Sequence, residues 1–191
     1  EMKRVAVLGG GPAGAFAAEK LSEAGLKTIL LDERLAWEKP CGGGLTYKAY
    51  SQYPFLVENS TPKRFVVRTR LSAPDAGTAT MLLRHPLLVY SRLDLNRMLL
   101  ERAERAGVQL ECVRVLGMDR NGTGWKLKTR NGSIDADFCI VATGARNPLR
   151  HVGTEWSASD TMHALGYYVP AEQEHIDIQF LENLEGYIWV F

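Results

Sequence analysis

The chain has 191 residues, 46% of them hydrophobic and 24% charged, with a formal net charge of +1. That length can bury a core for one domain or one and a part, and the even mixture of signs gives no electrostatic footprint for nucleic acid. No apolar run approaches the roughly 18 residues that span a bilayer, and residues 1–25 lack the form of a signal peptide.

Lys3–Leu8 is a short apolar run that breaks into Gly9-Gly10-Gly11-Pro12-Ala13-Gly14. An alanine-rich helical pattern follows, opened by Pro12, where a missing amide hydrogen costs nothing. Ala13, Ala17, Ala18 and Leu21 are its expected packing face, and Gly25 ends it. A second apolar run, Thr28–Leu31, closes on Asp32, which stands 18 residues after Gly14. Strand, glycine turn, helix, strand and acid make up the dinucleotide fingerprint G-x-G-x-x-G on Gly9, Gly11 and Gly14. Gly9 allows the tight turn, Gly11 admits a pyrophosphate without a Cβ in the way, and Gly14 lets the helix pack close on the sheet. The first amides of that helix suit an anion. Asp32 can accept from a ribose hydroxyl and would repel a 2′-phosphate, so FAD or NAD is expected, not NADP.

Residues 33–61 are rich in loops, with a short helix expected from about Thr46 through Ala49. Residues 64–71 and 78–84 read as a hairpin joined through Ser72-Ala73-Pro74-Asp75-Ala76-Gly77, and Leu87–Tyr90 as a further strand. Asp94 is the expected cap of a helix whose apolar face is Leu95, Met98, Leu99, Ala103 and Ala106. Glu101, Arg102, Glu104 and Arg105 are its solvated side. Val108–Val115 reads as a strand. Asn121-Gly122 and Asn131-Gly132 then divide 116–137 into three strands, a β-meander. Phe138–Ala142 has the continuous apolar character of a strand buried on both faces of a parallel sheet. Met162–Val169, Ile176–Leu181 and Tyr187–Phe191 are expected to form antiparallel strands of a different sheet.

Cys41, Cys112 and Cys139 show no C-x-x-C spacing and no disulfide framework. Cys112 and Cys139 lie in apolar strand-like runs and read as buried thiols. His85, His151, His163 and His175 are scattered, so no metal site is expected. A nucleotide-binding sheet whose last crossover is a β-meander has the plan of glutathione-reductase-type FAD domains, which moves the expected cofactor from NAD to FAD. The expected fold is therefore α/β: a Rossmann-like FAD-binding domain over 1–160, with 62–91 open to contributing strands to a second domain, and the first strands of an antiparallel-sheet substrate domain over 161–191.

Several further motifs resemble the geranylgeranyl reductase family of flavoproteins, within the wider p-hydroxybenzoate-hydroxylase-like FAD superfamily. Lys39-Pro40-Cys41-Gly42-Gly43-Gly44-Leu45-Thr46 resembles its P-C-G-G-G loop. Ser91-Arg92-Leu93-Asp94-Leu95 resembles its R-x-x-L-D-type helix entry. Ala142-Thr143-Gly144-Ala145-Arg146-Asn147-Pro148-Leu149-Arg150 is similar to the second flavin motif A-D-G-A-x-S-x-x-R, departing from it at Thr143 and Asn147. Tyr187-Ile188-Trp189-Val190-Phe191 resembles the start of Y-x-W-x-F-P.

The resemblance implies contacts from Ala13 and Asp32 to the ADP half of FAD. It places Cys41, Gly42 and Gly44 along the flavin and its linker, Arg92 near the phosphates or ribityl chain, and the Val115 backbone on the adenine side. Thr143 and Gly144 complete the cofactor set. It also implies Cys41 as a proton donor or flavin-side contact, and Tyr187 and Trp189 as lining for an apolar or aromatic substrate. Read as residues alone, Arg92 could equally pair with Asp94, Cys41 be a small loop residue, and the two aromatics be core. The implied reaction is reduction of carbon–carbon double bonds in a polyprenyl or other apolar substrate, with NAD(P)H or a ferredoxin-like donor. A flavin-dependent aromatic monooxygenase or halogenase and a non-catalytic flavin-binding fragment are the alternatives. The sequence ends inside the aromatic motif, so the N-terminal half of a longer flavoprotein is expected, one that binds FAD weakly alone. The expected localisation is cytoplasmic, with peripheral membrane contact left open.

Overall fold

The computed structural model describes residues 2–145, 147–149, 152–153 and 156–191. In chain order its regular elements are β1 (Arg4–Leu8), α1 (Pro12–Glu23), β2 (Lys27–Asp32), β3 (Gly44–Leu45), α2 (Tyr47–Gln52), β4 (Lys63–Ala73), β5 (Gly77–Tyr90), α3 (Arg92–Arg105), β6 (Gln109–Cys112), β7 (Val115–Asn121), β8 (Gly124–Thr129), β9 (Gly132–Ala136), β10 (Phe138–Val141), β11 (Ile176–Phe180) and β12 (Tyr187–Val190). Two compact units result: Glu1–Trp37 with Leu95–His163, and Glu38–Asp94 with Ala164–Phe191. The second unit thus takes in residues 38–61 together with the strands of 62–91.

The first unit is built on a parallel sheet in the order β10-β1-β2-β6. The chain starts at the centre, steps outward through β2 to β6, and returns to the other side of β1 by way of β7, β8 and β9. Those three strands pair antiparallel as the expected β-meander, with Gly122 and Gly132 supplying the positive φ that the tight turns require. Alternation along the strands explains the layering. Ala6, Leu8, Ile29 and Leu31 share one sheet face and pack with Val115, Leu127, Ala136 and Leu149 into one buried cluster. Val5, Val7, Thr28 and Leu30 fill the opposite face, and α1 packs on β1 and β2.

Several expectations change within this unit. The buried residues of α1 are Gly14, Ala15, Ala18 and Glu19, so the packing face is rotated from the expected one and Ala13 is exposed. Arg102 is not simply solvated, because it is paired with the buried Glu19. β10 is an edge strand among the described residues, so Phe138 is 57% exposed where burial on both faces was expected. Cys112 is exposed, at the very end of β6, and donates to the Glu33 carbonyl instead of filling the core.

The second unit is a five-stranded sheet in the order β12-β11-β4-β5-β3. It is mixed, not antiparallel: β11 runs parallel to β4, while β12 and β5 run antiparallel to their neighbours. Leu87–Tyr90 continues β5 instead of forming a strand of its own. The interruption at His85-Pro86 survives as a register shift opposite Val66 and Arg68. Met162–Val169 forms no strand; its large apolar side chains, among them Leu165 and Tyr167, are exposed. Ser91, not Asp94, caps α3: its Oγ accepts from the Asp94 amide at 3.2 Å, which puts Asp94 in the first helical turn.

Candidate functional site

The glycine turn lies at the carboxyl end of β1, between β2 and β10, where the strand order reverses. That is the place where open α/β sheets receive ligands. Gly9 has φ of +113°, and a Cβ there would overlap the Ala142 carbonyl. Its amide donates to the Leu31 carbonyl at 2.9 Å. A Cβ on Gly14 would overlap the Gly9 carbonyl and stand 3.3 Å from the Ala142 Cβ, so only glycine lets α1 come this close. Gly11 differs. A Cβ on it would meet no atom of the described residues within 4 Å, so packing among them does not require a glycine there. Gly11 also caps α1 without a side chain, and Pro12 follows as the first helical residue. An incoming anion therefore competes with no capping side-chain oxygen for the first-turn amides.

Asp32 does more than the fingerprint assigns it. Its Oδ2 accepts from the Gly10 amide at 2.6 Å and its Oδ1 from the Arg34 amide at 2.9 Å. A carboxylate has about four lone-pair sites, so capacity remains for a ribose hydroxyl while the same group shapes the turn. A residue that the sequence reading missed completes the arrangement. Asn96 of α3, 6% exposed, donates from Nδ2 to the Gly10 carbonyl at 2.7 Å and to the Leu35 carbonyl at 3.1 Å. Its signal was present: Asn96 is three residues before Leu99 and four before Leu100, a polar residue inside the apolar stripe.

Thr143 and Gly144 follow β10 beside the turn, Gly144 with φ of +78°. The two departures from the second flavin motif are bonded to each other. Thr143 Oγ1 donates to Asn147 Oδ1 at 3.0 Å, and Asn147 accepts from the Leu149 amide and donates to the Leu149 and Val152 carbonyls. The motif's Arg146 and Arg150, like His151, lie outside the described residues. Val115 is buried at the start of β7, where the register shifts before Gly117.

In the second unit, Glu38 organises the entry of α3, accepting from the Ser91 hydroxyl at 2.7 Å and the Arg92 amide at 3.0 Å. Burial opposes ionisation of the Cys41 thiol, but the Gly43 amide and the Arg92 guanidinium outweigh it and hold the thiol below its ordinary range. Arg92 Nε is buried without a hydrogen-bond partner among the described residues. Much of the glycine content of the loop is used within the unit. A Cβ on Gly42 would overlap the Phe191 ring, one on Gly43 (φ of +63°) the Tyr90 carbonyl, and one on Gly44 would press on the Leu87 side chain. Tyr187 and Trp189 share one face of β12 with their ring centroids 5.2 Å apart, and Tyr187 faces Phe180 across the strands. Cys139 is pushed up to about 11 by burial and is chemically quiet. Among the described residues no group of His, Cys, Asp and Glu has the geometry of a metal site, and no helix is long and apolar enough to cross a membrane.

The family model described as Pyridine nucleotide-disulphide oxidoreductase matches residues 3–147. The chain belongs to this family. It is also similar to the geranylgeranyl diphosphate reductase of Synechocystis, with 32% identity over 95% of this chain and 44% of that protein. The chloroplastic geranylgeranyl diphosphate reductase of Nicotiana tabacum is 26% identical over 98% of this chain and 46% of that protein. Among solved structures, a geranylgeranyl bacteriochlorophyll reductase-like protein from Thermoplasma acidophilum shares the fold across 100% of this chain and 54% of that one, with a TM-score of 0.76 at 22% identity. The resemblance noted in the loop and strand motifs thus extends along the whole chain, which spans about half the length of the curated relatives it matches.

Proposed function

We propose that this chain forms the FAD-binding part of an oxidoreductase that saturates carbon–carbon double bonds in a polyprenyl or similarly apolar substrate. The observation that carries the reading is the glycine turn at the switch point, open at Gly11, in a sheet whose return crossover is a β-meander. The reductases to which the chain is similar supply the substrate class. The chemistry that bound FAD supplies is hydride delivery to one alkene carbon, the other taking a proton.

The chain's own residues bind and orient. The backbone of Gly11, Ala13 and Gly14 would hold the pyrophosphate at the start of α1, with Gly9 making the tight turn that brings them there; Pro12 presets that helix, and Asp32 has lone pairs left for a ribose hydroxyl. Val115 offers backbone on the adenine side, and Thr143 and Gly144 border the turn. Motif resemblance assigns Cys41, Gly42, Gly44 and Arg92 to the flavin and its linker, and Tyr187 and Trp189 to the apolar substrate. Cys41 Sγ then holds a proton that it releases at lower pH than an ordinary thiol. The reducing equivalents would come from an external donor, a nicotinamide nucleotide or a ferredoxin-like protein.

The test starts from purified protein supplied with FAD, whose visible bands should report near-stoichiometric binding. Reduced anaerobically and given a geranylgeranyl substrate, the complete protein should yield a product heavier by two hydrogens per double bond reduced. A requirement for molecular oxygen, or a hydroxylated or halogenated product, refutes the reductase reading. Normal turnover by Cys41→Ala removes that residue's catalytic role.

A further inference from the structure

We infer that Asn96 is a positioning residue of the dinucleotide turn, fixing the direction in which the Gly11 amide faces. The inference rests on the nucleotide-binding part of the function proposed above. Both neighbours of the Asn96 side-chain nitrogen are carbonyl oxygens, which only its NH2 end can satisfy. A peptide unit is planar and trans, so the Gly10 carbonyl and the Gly11 N–H point in opposite directions. Anchoring that carbonyl from a buried donor at 2.7 Å therefore turns the Gly11 N–H away from α3. The preceding unit obeys the same rule. The Gly10 amide is held by Asp32 Oδ2, so the Gly9 carbonyl points the other way, against Gly14.

Three consecutive glycines have no side chains to bias these planes, and glycine visits both signs of φ. Two consecutive peptide planes are instead set by side chains from β2 and α3. If the Gly10–Gly11 plane turned over, a carbonyl oxygen would stand where an anion needs an N–H, and attraction would become repulsion. The bond to the Leu35 carbonyl extends the effect, since the same nitrogen ties the glycine turn to the segment that follows Asp32. One amide thereby registers the phosphate side of the site with the ribose side.

The experiment titrates ADP and FAD into the complete protein by calorimetry and records ligand-free thermal unfolding for each variant. Asn96→Ala should bind ADP about tenfold more weakly, the scale of one buried hydrogen bond, at a temperature where both proteins are fully folded. Asn96→Gln keeps the NH2 group and should recover part of the loss, whatever its unfolding temperature. Asn96→Ser is the milder truncation and decides in place of Asn96→Ala if the latter does not fold. Wild-type ADP affinity in a folded truncation overturns the inference, and so does an affinity that Asn96→Gln fails to raise. Binding of ADP without FAD refutes the flavin reading alone and leaves the Asn96 comparison standing on ADP; no binding of ADP to the wild type overturns both.

Discussion

Replacing Arg102 by methionine removes the cation that holds a buried carboxylate. Glu19 lies on the inner side of α1 with its side chain 2% exposed, and Arg102 reaches it from α3 through Nε at 3.1 Å and Nη2 at 2.5 Å, one contact to each oxygen. Breaking a buried pair from one side costs about 3–5 kcal/mol, because the remaining charge is left uncompensated. Lys20 stands 3.7 Å from the same carboxylate but is half exposed and engaged with Glu23 at 2.7 Å, so solvent limits its help. The expected loss is about 3 kcal/mol, a large part of the roughly 5–15 kcal/mol that keeps a domain folded. At about 2–4 °C per kcal/mol for a chain of this size, the unfolding temperature should fall by about 6–12 °C in a calorimetric or circular-dichroism melt. The double variant Glu19→Leu with Arg102→Met should recover most of that, since apolar replacement of a whole buried pair is often neutral. An Arg102→Met protein that melts within about 2 °C of the wild type would refute the reasoning.

Alkylation of Cys41 by iodoacetamide, followed by mass spectrometry, should set in at lower pH than for an ordinary thiol. Arg92→Met should move that midpoint upward; an unmoved midpoint excludes the guanidinium as its cause. In the same assay Cys139, held near 11, should stay unmodified at neutral pH. The Asp137 carboxyl is held below its ordinary range first by the Arg4 amide and then by Lys3. Because its folded value is depressed, its contribution to stability is present above the unfolded value and is lost as pH falls through the folded one. Asp137→Asn should therefore flatten the acid limb of urea-denaturation midpoints below about pH 4. Parallel acid limbs in the two proteins would count against that.

Where side-chain periodicity and turn chemistry act locally, the sequence was a sufficient guide. Gly9, Gly11 and Gly14 stand where the fingerprint requires, and Asn121-Gly122 and Asn131-Gly132 turn a meander whose strands end within a residue or two of expectation. Where the outcome depends on neighbours remote in sequence, the reading failed in consistent ways. Met162–Val169 has the composition of a strand and pairs with no strand among the described residues. Phe138–Ala142 has the apolar run of a strand buried on both faces, and Phe138 is exposed on a strand that is an edge among the described residues. The direction of β11 was misread because its partner β4 is about a hundred residues away, with no hairpin turn between them to fix how the two strands pair. At the site, resemblance assigned Gly42 and Gly44 to a ligand, and within the unit a Cβ on Gly42 would also overlap the Phe191 ring and one on Gly44 would press on the Leu87 side chain.

The residues that escaped notice share a physical reason. Glu19 and Asn96 each occupy an apolar stripe, where a hydrophobic residue would bury more area. The inner face of α1 is Gly14, Ala15 and Ala18, which permits close approach to the sheet but leaves few side-chain atoms to resist sliding. Contact between smooth apolar surfaces is non-directional. A bidentate ion pair and a doubly used amide are not, because each loses its energy when angle or distance changes. α3 carries both Arg102 and Asn96, and with them ties α1 and the glycine turn to one rigid element. A nucleotide turn has to present N–H groups in fixed directions, a demand that burial alone cannot meet. The polar interruptions of the two stripes are therefore where this fold sets direction, and a polar residue at helical spacing within an apolar face is the pattern by which such groups can be found.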